Sequence, residues 1–532
     1  MVYLHFQKLN LNYKTTLKQL TMFKKHPKGL LAASLANMGE RFGFYTMMAI
    51  LSLFIMTKFG LNETQTGIIY SIFYASIYLL ALVGGLIADK TRNYKGVILT
   101  GLVLMAAGYL IIAIPTPTPV PADRFVPLLV FTCFGLLVIA FGNGLFKGNL
   151  QALVGQMYDN PKYSHMRDSG FQLFYMFINI GAIFAPFLAM GVRNWWVTKN
   201  GFSYIADMPD LIHQFLNSSI SEQGLSRLNQ VASSFGYTDL TAFGNEYLNV
   251  FTTGFHYAFA VAIIAMFISL VIYLANKNKF PDPANKQAAE EHGGQPAVEM
   301  DVKEVKQRLY ALFAVFGVVI FFWFSFHQNG LTLTYFAKDY TDLSQIRLNL
   351  GFTTLEGVEL FQSLNPFFVV FLTPIIVGLF GWLRAKDKEP STPRKIAIGM
   401  GIAALAYVVM SIGSRGLPLK AEVDAMGGLP DADRVTPWLL IGTYFILTVA
   451  ELFISPLGIS FVSKVAPPKY QGIMQGAWLG ATAIGNSLLF IGAIFYTTFS
   501  MTTTWMLFVI ACLISMFTML AMVKWLERVA GV

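Results

Sequence analysis

A small set of ionisable side chains lies well inside long apolar runs of the sequence, where a charge is costly. These residues are Glu40, Arg41, Lys147, His327 and Glu451. A charged side chain at the centre of a bilayer costs about 2.5–3.5 kcal/mol on the insertion scale, so such residues face a polar interior. Their presence predicts a substrate or ion pathway through a membrane.

The chemistry of these side chains narrows the solute. Arg41 offers a carboxylate a bidentate fork and Lys147 offers it a point charge, whereas Glu451 can bind an ammonium group. The set therefore suits a small zwitterion. The alternative is that Glu40–Arg41 or Lys147–Glu451 are structural ion pairs. Because a buried ion pair is weak evidence of stability, its retention favours a switching role.

The composition places the chain in lipid. Of its 532 residues, 55% are hydrophobic and 13% are charged, and the mean hydropathy is +0.55. Soluble domains carry roughly 25% charged residues. Cys133 and Cys512 indicate neither a disulfide framework nor a metal site, and we expect no cofactor. The net charge of +9 is explained by loop charge that orients a membrane protein, so no nucleic-acid partner is expected.

Twelve runs are long and apolar enough to span a bilayer, which needs about 20 residues per helix. They lie at 29–57, 64–88, 97–115, 126–147, 169–191, 253–275, 309–337, 358–383, 395–414, 435–463, 471–496 and 503–525. The prediction is an all-α membrane protein of twelve transmembrane helices. The seventh, tenth and eleventh runs are long, so tilts or kinks are expected there.

The polar segments divide the chain into two six-helix bundles. Most of the 38 Lys and Arg residues lie at the N-terminus, in the even-numbered loops and at the C-terminus, which predicts that both termini are cytoplasmic. Residues 1–28 form a cytoplasmic segment, 29–275 the first bundle, 276–308 a cytoplasmic linker and 309–532 the second bundle. Within the first bundle, 192–250 is polar, weakly helical near its middle, and predicted to form a small external cap. This layout is that of major facilitator transporters, whose site lies between the halves.

Six stretches of the sequence carry motifs, namely 37–45 (NMGERFGFY), 84–90 (GGLIADK), 142–147 (GNGLFK), 167–181 (RDSGFQLFYMFINIG), 361–366 (FQSLNP) and 451–458 (ELFISPLG). These motifs resemble those of the proton-dependent oligopeptide transporter family, a branch of the major facilitator superfamily. Each is weak alone, but together they occur in the expected order on the expected helices. The resemblance covers most of the predicted spans.

This resemblance implies roles for individual residues. Arg41 and Lys147 would hold the carboxylate of a short peptide, and Glu451 would hold its amino terminus. The pocket would also be lined by Tyr45, Tyr78, Asn179, Trp323, His327, Asn365, Ser455 and Trp478. Helix packing or an aromatic belt at the membrane interface is the competing explanation for Tyr78, Trp323 and Trp478. Asp89 and Pro456 are expected to act in gating, Asp89 through a contact at a cytoplasmic helix end and Pro456 through a helix bend.

The pattern departs from the family where proton coupling is expected. Asn37 replaces the first Glu of the signature, and Phe44 replaces the first of its paired tyrosines. His327 stands where many bacterial members have Glu, and Met48 where they often have the Arg that pairs with it. Both partners of one gating ion pair are thus lost together, which avoids a stranded charge.

Three residues remain candidates for proton coupling, namely Glu40, Glu451 and His327. A histidine changes charge near neutral pH, so His327 could take over part of the proton role. Alternatively, His327 is a neutral hydrogen-bonding residue of the pocket.

The predicted function is that of a secondary active transporter that imports di- and tripeptides by alternating access as a proton symporter. One alternative keeps the fold but carries another small zwitterion or an organic anion, and a second moves peptides without protons. No metal cluster, nucleophile elbow or phosphate-binding loop is evident, so no enzyme activity is expected. We expect a monomer in a bacterial inner membrane, with peptide, protons and the lipid bilayer as its partners.

Overall fold

A computed structural model describes residues 26–91, 93–158, 160–163, 166–281, 301–467 and 470–530, without the side chains of 89, 167–169, 463 and 471–472. Within these residues, twelve helical segments are long and apolar enough to cross a membrane. The predicted number of spans is therefore confirmed. The predicted segment 1–28 and linker 276–308 fall largely outside the described residues, and the predicted domain boundaries remain predictions.

The first half of the molecule contains six of the spans and two short helices. Its helices are α1 (Gly29–Phe59), α2 (Glu63–Thr91), α3 (Tyr94–Ala113), α4 (Phe125–Met157), α5 (Arg167–Lys199), α6 (Met208–Leu216), α7 (Glu222–Ser234) and α8 (Leu240–Asn276). Helices α6 and α7 lie between the fifth and sixth spans, where the sequence predicts a helical cap. We call residues 200–239 the cap, and the end of the molecule that carries it the cap side.

The second half contains the remaining six spans, several of which are interrupted. Its helices are α9 (Val302–Phe326), α10 (Thr332–Tyr340), α11 (Leu364–Arg384), α12 (Thr392–Gly413), α13 (Lys420–Ala425), α14 (Pro437–Leu452), α15 (Ser455–Val465), α16 (Gln471–Ser487), α17 (Phe490–Thr498) and α18 (Met501–Ala530). The seventh span consists of α9 and α10, the tenth of α14 and α15, and the eleventh of α16 and α17.

The seventh and tenth spans are interrupted beside Gly330 and Pro456. Between α9 and α10, residues His327–Gly330 form a 3₁₀ turn, and a Cβ at Gly330 would collide with the Tyr70 hydroxyl on α2. In the tenth span, Pro456 occupies the first turn of α15, where the missing N–H of proline is tolerated. The helix bend predicted at Pro456 thus coincides with a break, which falls at residues 453–454, between Glu451 and Pro456.

Glycines allow the second, third and fourth spans to pack closely. A Cβ on Gly144 would lie 2.5 Å from the Leu80 carbonyl oxygen, and one on Gly142 would lie 2.7 Å from that of Gly101. These two glycines allow the helices to approach closely beside Lys147. Gly148 does not, because a Cβ there would meet nothing within 4 Å.

The halves meet along α2, which packs on α16 and α17, and along α5, which packs on α11. A short antiparallel hairpin precedes α11, formed by β1 (Leu348–Asn349) and β2 (Thr354–Leu355), with Leu348 opposite Leu355. Gly351 adopts a φ of +85° in its turn, a conformation that glycine adopts readily. The hairpin belongs to the second half but lies against α5 of the first.

Candidate functional site

A polar cavity of about 230 Å³ lies between the two halves. Most of the predicted binding residues line it, and they come from both halves. The predicted residues in its wall are Arg41, Tyr45, Tyr78, Lys147, Asn179, Trp323, His327, Asn365 and Glu451. The structure thus brings together residues that are separated by several hundred positions in the sequence.

Glu40 and Arg41 form one of the two ion pairs that the sequence allows. Arg41 donates from Nε to Glu40 Oε2 and from one Nη to Oε1, each at 2.6 Å. Glu40 Oε1 also accepts from Asn143 Nδ2 at 2.7 Å, and Glu40 is fully buried. Because a guanidinium has five N–H donors and Arg41 still lines the cavity, this arrangement leaves donors for a second carboxylate.

Lys147 on α4 lies in the cavity wall, and no carboxylate of the described residues comes within ion-pair distance of its Nζ. The ammonium group of Lys147 lies over the ring of Tyr78, with Nζ 4.7 Å from the ring centre. The alternative ion pair between Lys147 and Glu451 is therefore not formed in this arrangement. Lys147 is free to bind an anionic group in the cavity.

Glu451 lies at the end of α14, on the opposite half from Arg41 and Lys147. Its Oε2 accepts a hydrogen bond from Asn365 Nδ2 at 2.8 Å, and the same amide donates to Thr448 Oγ1 at 3.1 Å. Among the residues that the structure describes, no cation pairs with this carboxylate. Asn365 therefore orients Glu451 while leaving it able to bind an ammonium group.

His327 is held by a ring stack and a hydrogen bond. Its ring lies parallel to that of Trp323, with centres 4.9 Å apart, and 4.8 Å from that of Tyr74. Its Nδ1 bonds to Oδ1 of Asn486 on α16. With the amide placed in this way, Nδ1 carries the hydrogen, and the second ring nitrogen is the one left to exchange a proton. Met48 lines the same cavity as His327.

Among the predicted residues whose side chains the structure describes, four do not line this cavity wall, namely Glu40, Ser455, Pro456 and Trp478. Trp478 packs edge-on against Phe316 and fills the space beside Gly458. Ser455 begins α15 beyond the break in the tenth span, and Pro456 follows it on the exposed surface. The side chain of Asp89 lies outside the part of the chain that the structure describes, so its gating role remains a prediction.

Several residues of the cavity wall are not predicted from the sequence. They are Tyr70, Tyr74, Gln151, Gln362 and Tyr444. Tyr70, Tyr74 and Tyr78 are spaced four residues apart on α2, and this spacing places them on one face. That regularity, beside the predicted pocket residue Tyr78, was the available signal. Gln362 and Tyr444 carry no comparable pattern.

A second cluster of charges closes the cap side of the molecule. We call it the cap-side ion cluster, and its members are Glu63, Asp210, Lys338, Asp339, Lys420 and Asp424. Lys338 Nζ lies 2.5 Å from Asp210, 3.5 Å from Asp339 and 3.8 Å from Glu63. Lys338 thereby joins α2 of the first half, the cap and α10 of the second half.

Lys420 completes the cap-side ion cluster from α13. Its Nζ lies 2.5 Å from Asp424 and 3.4 Å from both Glu63 and Asp339. Burial alone would lower the pKa of Lys420, but the surrounding carboxylates hold it well above its ordinary value. For Asp424, burial raises the pKa to about 6 against the attraction of Lys420.

Two further contacts join the halves on the cap side. Asp207 of the cap lies 2.8 Å from Arg227 and 3.7 Å from Arg434 of the second half, and Arg227 donates to the Gly427 carbonyl at 2.9 Å. The buried Arg193 of α5 pairs with the buried Glu359, which follows the hairpin. Every ion pair seen between described residues of the two halves lies on this side.

Comparison with known proteins agrees with the arrangement of spans and cavity. A sequence model described as POT family matches residues 95–292 and 285–506. The peptide transporter YePEPT of Yersinia enterocolitica is 28% identical over 493 residues, covering 87% of each chain. Dipeptide and tripeptide permease A of Erwinia pyrifoliae is 26% identical over 476 residues, covering 86% of this chain and 84% of the relative.

The fold is also that of solved structures. A crystal structure of a peptide transporter POT in complex with sulfate matches with a TM-score of 0.69 at 23% identity, covering 95% of this chain and 96% of the other. The family match spans well over half of the sequence, on both sides of the central linker. The chain is therefore a multi-pass membrane protein of the POT family, with the major facilitator fold that its two six-span halves predict.

Proposed function

We propose that this protein is a secondary active transporter that carries di- and tripeptides by alternating access, as a proton symporter. The observation that carries the proposal is the separation of charge across one cavity. Arg41 and Lys147 lie on the first half and Glu451 on the second. A peptide offers a carboxylate and an ammonium group a few ångströms apart, so it can bridge the halves. The relatives named as peptide transporters support this choice.

The remainder of the cavity wall suits a peptide of variable sequence. Asn179, Gln362 and Asn365 offer amides that can bond the peptide backbone, which all peptides share. The tyrosine rings, with Trp323, offer apolar surface that tolerates varied side chains. Glu451 would repel a purely anionic solute, which disfavours nitrate or another organic anion. A non-peptide zwitterion remains compatible with the charges alone.

Alternating access requires contacts that break on one side while others form on the opposite side. The cap-side ion cluster and the Arg193–Glu359 pair join the halves, so the cap side is closed in this structure. We infer from the Lys and Arg distribution that the cap faces outward and both termini lie in the cytoplasm of a bacterial inner membrane. In this orientation the structure represents a state closed to the outside.

Proton coupling would involve Glu40, Glu451 and His327, the titratable side chains that the sequence predicts for it. Glu451 could alternate between a proton and the peptide ammonium, because no cation of the described residues occupies it. The second candidate function, peptide transport without protons, is favoured by Asn37. This residue is buried where the family signature has an acid, and an amide does not titrate.

Uptake of radiolabelled dialanine into proteoliposomes tests the substrate. We expect trialanine to compete with dialanine. We also expect an N-acetylated dialanine and a C-terminally amidated dialanine to compete poorly, because each lacks one charged end. Nitrate and free alanine are the control solutes, and both should compete less well than trialanine. Strong competition by nitrate together with no competition by trialanine would contradict the proposal. Uptake of dialanine should fall when the pH gradient is collapsed if the protein is a proton symporter. Uptake that persists unchanged would favour transport without protons.

A further inference from the structure

A second cavity, of about 570 Å³, lies at the seam between the halves on the cap side, outside the peptide site. One wall comes from α1 and α5 of the first half, and the opposite wall comes from the hairpin of the second half. We call it the seam cavity. Its lining includes Phe42, Phe184, Leu188, Val192, Trp195, Leu350, Phe352 and Leu355.

The walls of the seam cavity offer almost no hydrogen bonding. The polar side-chain groups in its lining are the Thr353 hydroxyl and the Trp195 indole N–H. The Thr353 hydroxyl already donates a hydrogen bond to the Gly191 carbonyl at 2.8 Å. The hairpin is fixed to α5 by Asn194, whose amide donates to the carbonyls of Thr354 at 2.7 Å and Glu356 at 2.8 Å. An occupant of this cavity must therefore be apolar.

Aromatic residues indicate the depth of the seam cavity in the membrane. At the end of α5, the Trp195 and Trp196 rings lie 6.1 Å apart, and Tyr257 lies 4.7 Å from Trp196. Lys199 places its Nζ 5.1 Å from the Trp195 ring. Tryptophan, tyrosine and a long cationic side chain together are typical of the membrane–water interface.

The cavity extends from this aromatic group toward the centre of the membrane. Leu188 lies about 10 Å from Trp195 along α5, at 1.5 Å per helical residue. The hairpin exposes apolar side chains at its tip, since Phe352 is 72% and Leu350 43% exposed. Such a tip is costly in water and favourable among lipid acyl chains. The seam cavity and the hairpin tip therefore lie in the outer part of the hydrocarbon layer.

We propose that the acyl chain of a bilayer phospholipid occupies the seam cavity and packs between α5 and the hairpin. The bilayer supplies this occupant at the depth where the cavity lies, and the apolar walls match its chemistry. Because the two walls belong to different halves, the complete cavity exists only while the halves are joined on the cap side. A bound acyl chain would therefore stabilise the closed cap side, as any ligand that prefers one conformation does.

A photoactivatable lipid tests the occupant. The full-length protein is reconstituted in vesicles of phosphatidylethanolamine and phosphatidylglycerol that contain a phosphatidylethanolamine with a diazirine within one acyl chain. After irradiation, labelled peptides are located by mass spectrometry. We expect stronger labelling of residues 184–195 and 348–355 than of the exposed face of α8 around Ile264 and Ile268.

Filling the cavity provides the decisive comparison. Leu188→Trp places a bulky ring in the cavity, and labelling there should fall to the level of the α8 face. The control Ile268→Trp adds the same ring to an exposed apolar position outside the cavity and should change nothing. If Leu188→Trp reduces the yield of folded protein, Leu355→Trp fills the cavity from the hairpin side.

Two outcomes would overturn the proposal. Labelling at the cavity no stronger than at the α8 face, or unaffected by both filling variants, would show that no acyl chain is held there. Neither result depends on transport, so the lipid proposal and the proposed function fail separately.

Discussion

The central cavity and the cap-side ion cluster both hold buried charges, but their pairing differs. In the cavity, Lys147 and Glu451 have no partner of opposite charge among the described residues. In the cap-side ion cluster, Lys338 and Lys420 each lie within 4 Å of three carboxylates. Unpaired buried charges are suited to a ligand that supplies the missing partner. Paired charges across an interface are suited to holding two bodies together.

The comparison predicts that a change in the cap-side ion cluster affects stability, whereas a change in the cavity affects transport. Removal of one partner from a buried ion pair costs about 3–5 kcal/mol, because the other charge is left uncompensated. Removal of a buried charge that has no partner costs little and can even stabilise the fold. Four variants test this contrast.

The largest effect is expected for Lys338→Met. Lys338 is 3% exposed, and its loss leaves Asp210 without a cation among the described residues and leaves Asp339 and Glu63 with Lys420 alone. We expect the free energy of unfolding to fall by about 3–5 kcal/mol. The measurement is the thermal midpoint of the purified protein, followed by tryptophan fluorescence.

Two further variants complete this test. Lys386→Met removes an exposed lysine whose ammonium lies over the Trp382 ring, and the thermal midpoint of this variant should barely change. Lys338→Met combined with Asp210→Asn should recover part of the loss, since one stranded carboxylate is neutralised. Equal midpoints for the two single variants would refute the structural role of the cluster.

Lys147→Ala is expected to reduce transport without reducing stability. A hydrogen bond to a charged group contributes about 1.5–3 kcal/mol, so dialanine uptake should fall by about tenfold or more. The thermal midpoint without peptide should stay unchanged or rise, because a buried cation without a carboxylate partner is removed. Uptake assays and thermal midpoints on the same preparations separate the two effects.

Lys162→Ala is the control for this variant, since Lys162 is exposed and lies beside Tyr163, outside the cavity. It should change neither quantity. A large fall in the midpoint of Lys147→Ala would mean that Lys147 stabilises the fold, and the contrast between the two regions would then be lost.

The sequence predicts the cavity far better than the cap-side ion cluster, for physical reasons. A charge within an apolar run must face a polar interior, so Lys147 and Glu451 are conspicuous in the sequence. Lys338 and Lys420 lie at the edge of a run or in a loop, where charged residues are common. Their partnership arises only when helices from both halves and the cap meet.

The breaks within spans explain most of the remaining differences. The long seventh, tenth and eleventh runs predict tilts or kinks but not where they fall, and each of these spans is divided into two helices. A break changes which side chains face inward beyond it. Ser455 follows such a break directly, and it is absent from the cavity wall although Glu451, before the break, is present. Asn486, the partner of His327, carries no motif that would identify it.

A third variant, His327→Gln, sharpens the comparison within the cavity. Glutamine can still bond to Asn486 but cannot take up a proton at physiological pH. If His327 carries part of the proton role, accumulation of dialanine driven by a pH gradient should fall several-fold. Exchange of dialanine for dialanine across the membrane, which needs no net proton movement, should persist.

The control for His327→Gln is Asn486→Leu, which removes the hydrogen bond but keeps the imidazole. If the position of the imidazole ring matters, Asn486→Leu should lower both the accumulation and the exchange of dialanine. Unchanged accumulation and unchanged pH dependence in His327→Gln would assign His327 to neutral hydrogen bonding, and Glu40 and Glu451 would then be the remaining proton candidates.

The smallest effect is expected for Asp424→Asn at the edge of the cap-side ion cluster. Burial raises the pKa of Asp424 to about 6, beside Lys420, Asp339 and Glu63. An unfolded aspartate has a pKa of about 4, so between about pH 4 and pH 6 the folded state binds more protons than the unfolded state. The free energy of unfolding that Asp424 contributes therefore declines as the pH rises through that interval.

Asparagine does not titrate, so the variant lacks this decline. The midpoint of Asp424→Asn minus that of the original protein should increase between about pH 4 and pH 6 and level off outside this interval. The Asp424 side chain is 40% exposed, so water screens its charge and the change should be small. Asp424→Glu keeps a carboxyl near Lys420 and should retain the decline. A difference that decreases over the same interval would show that pairing with Lys420 outweighs the cost of burying Asp424.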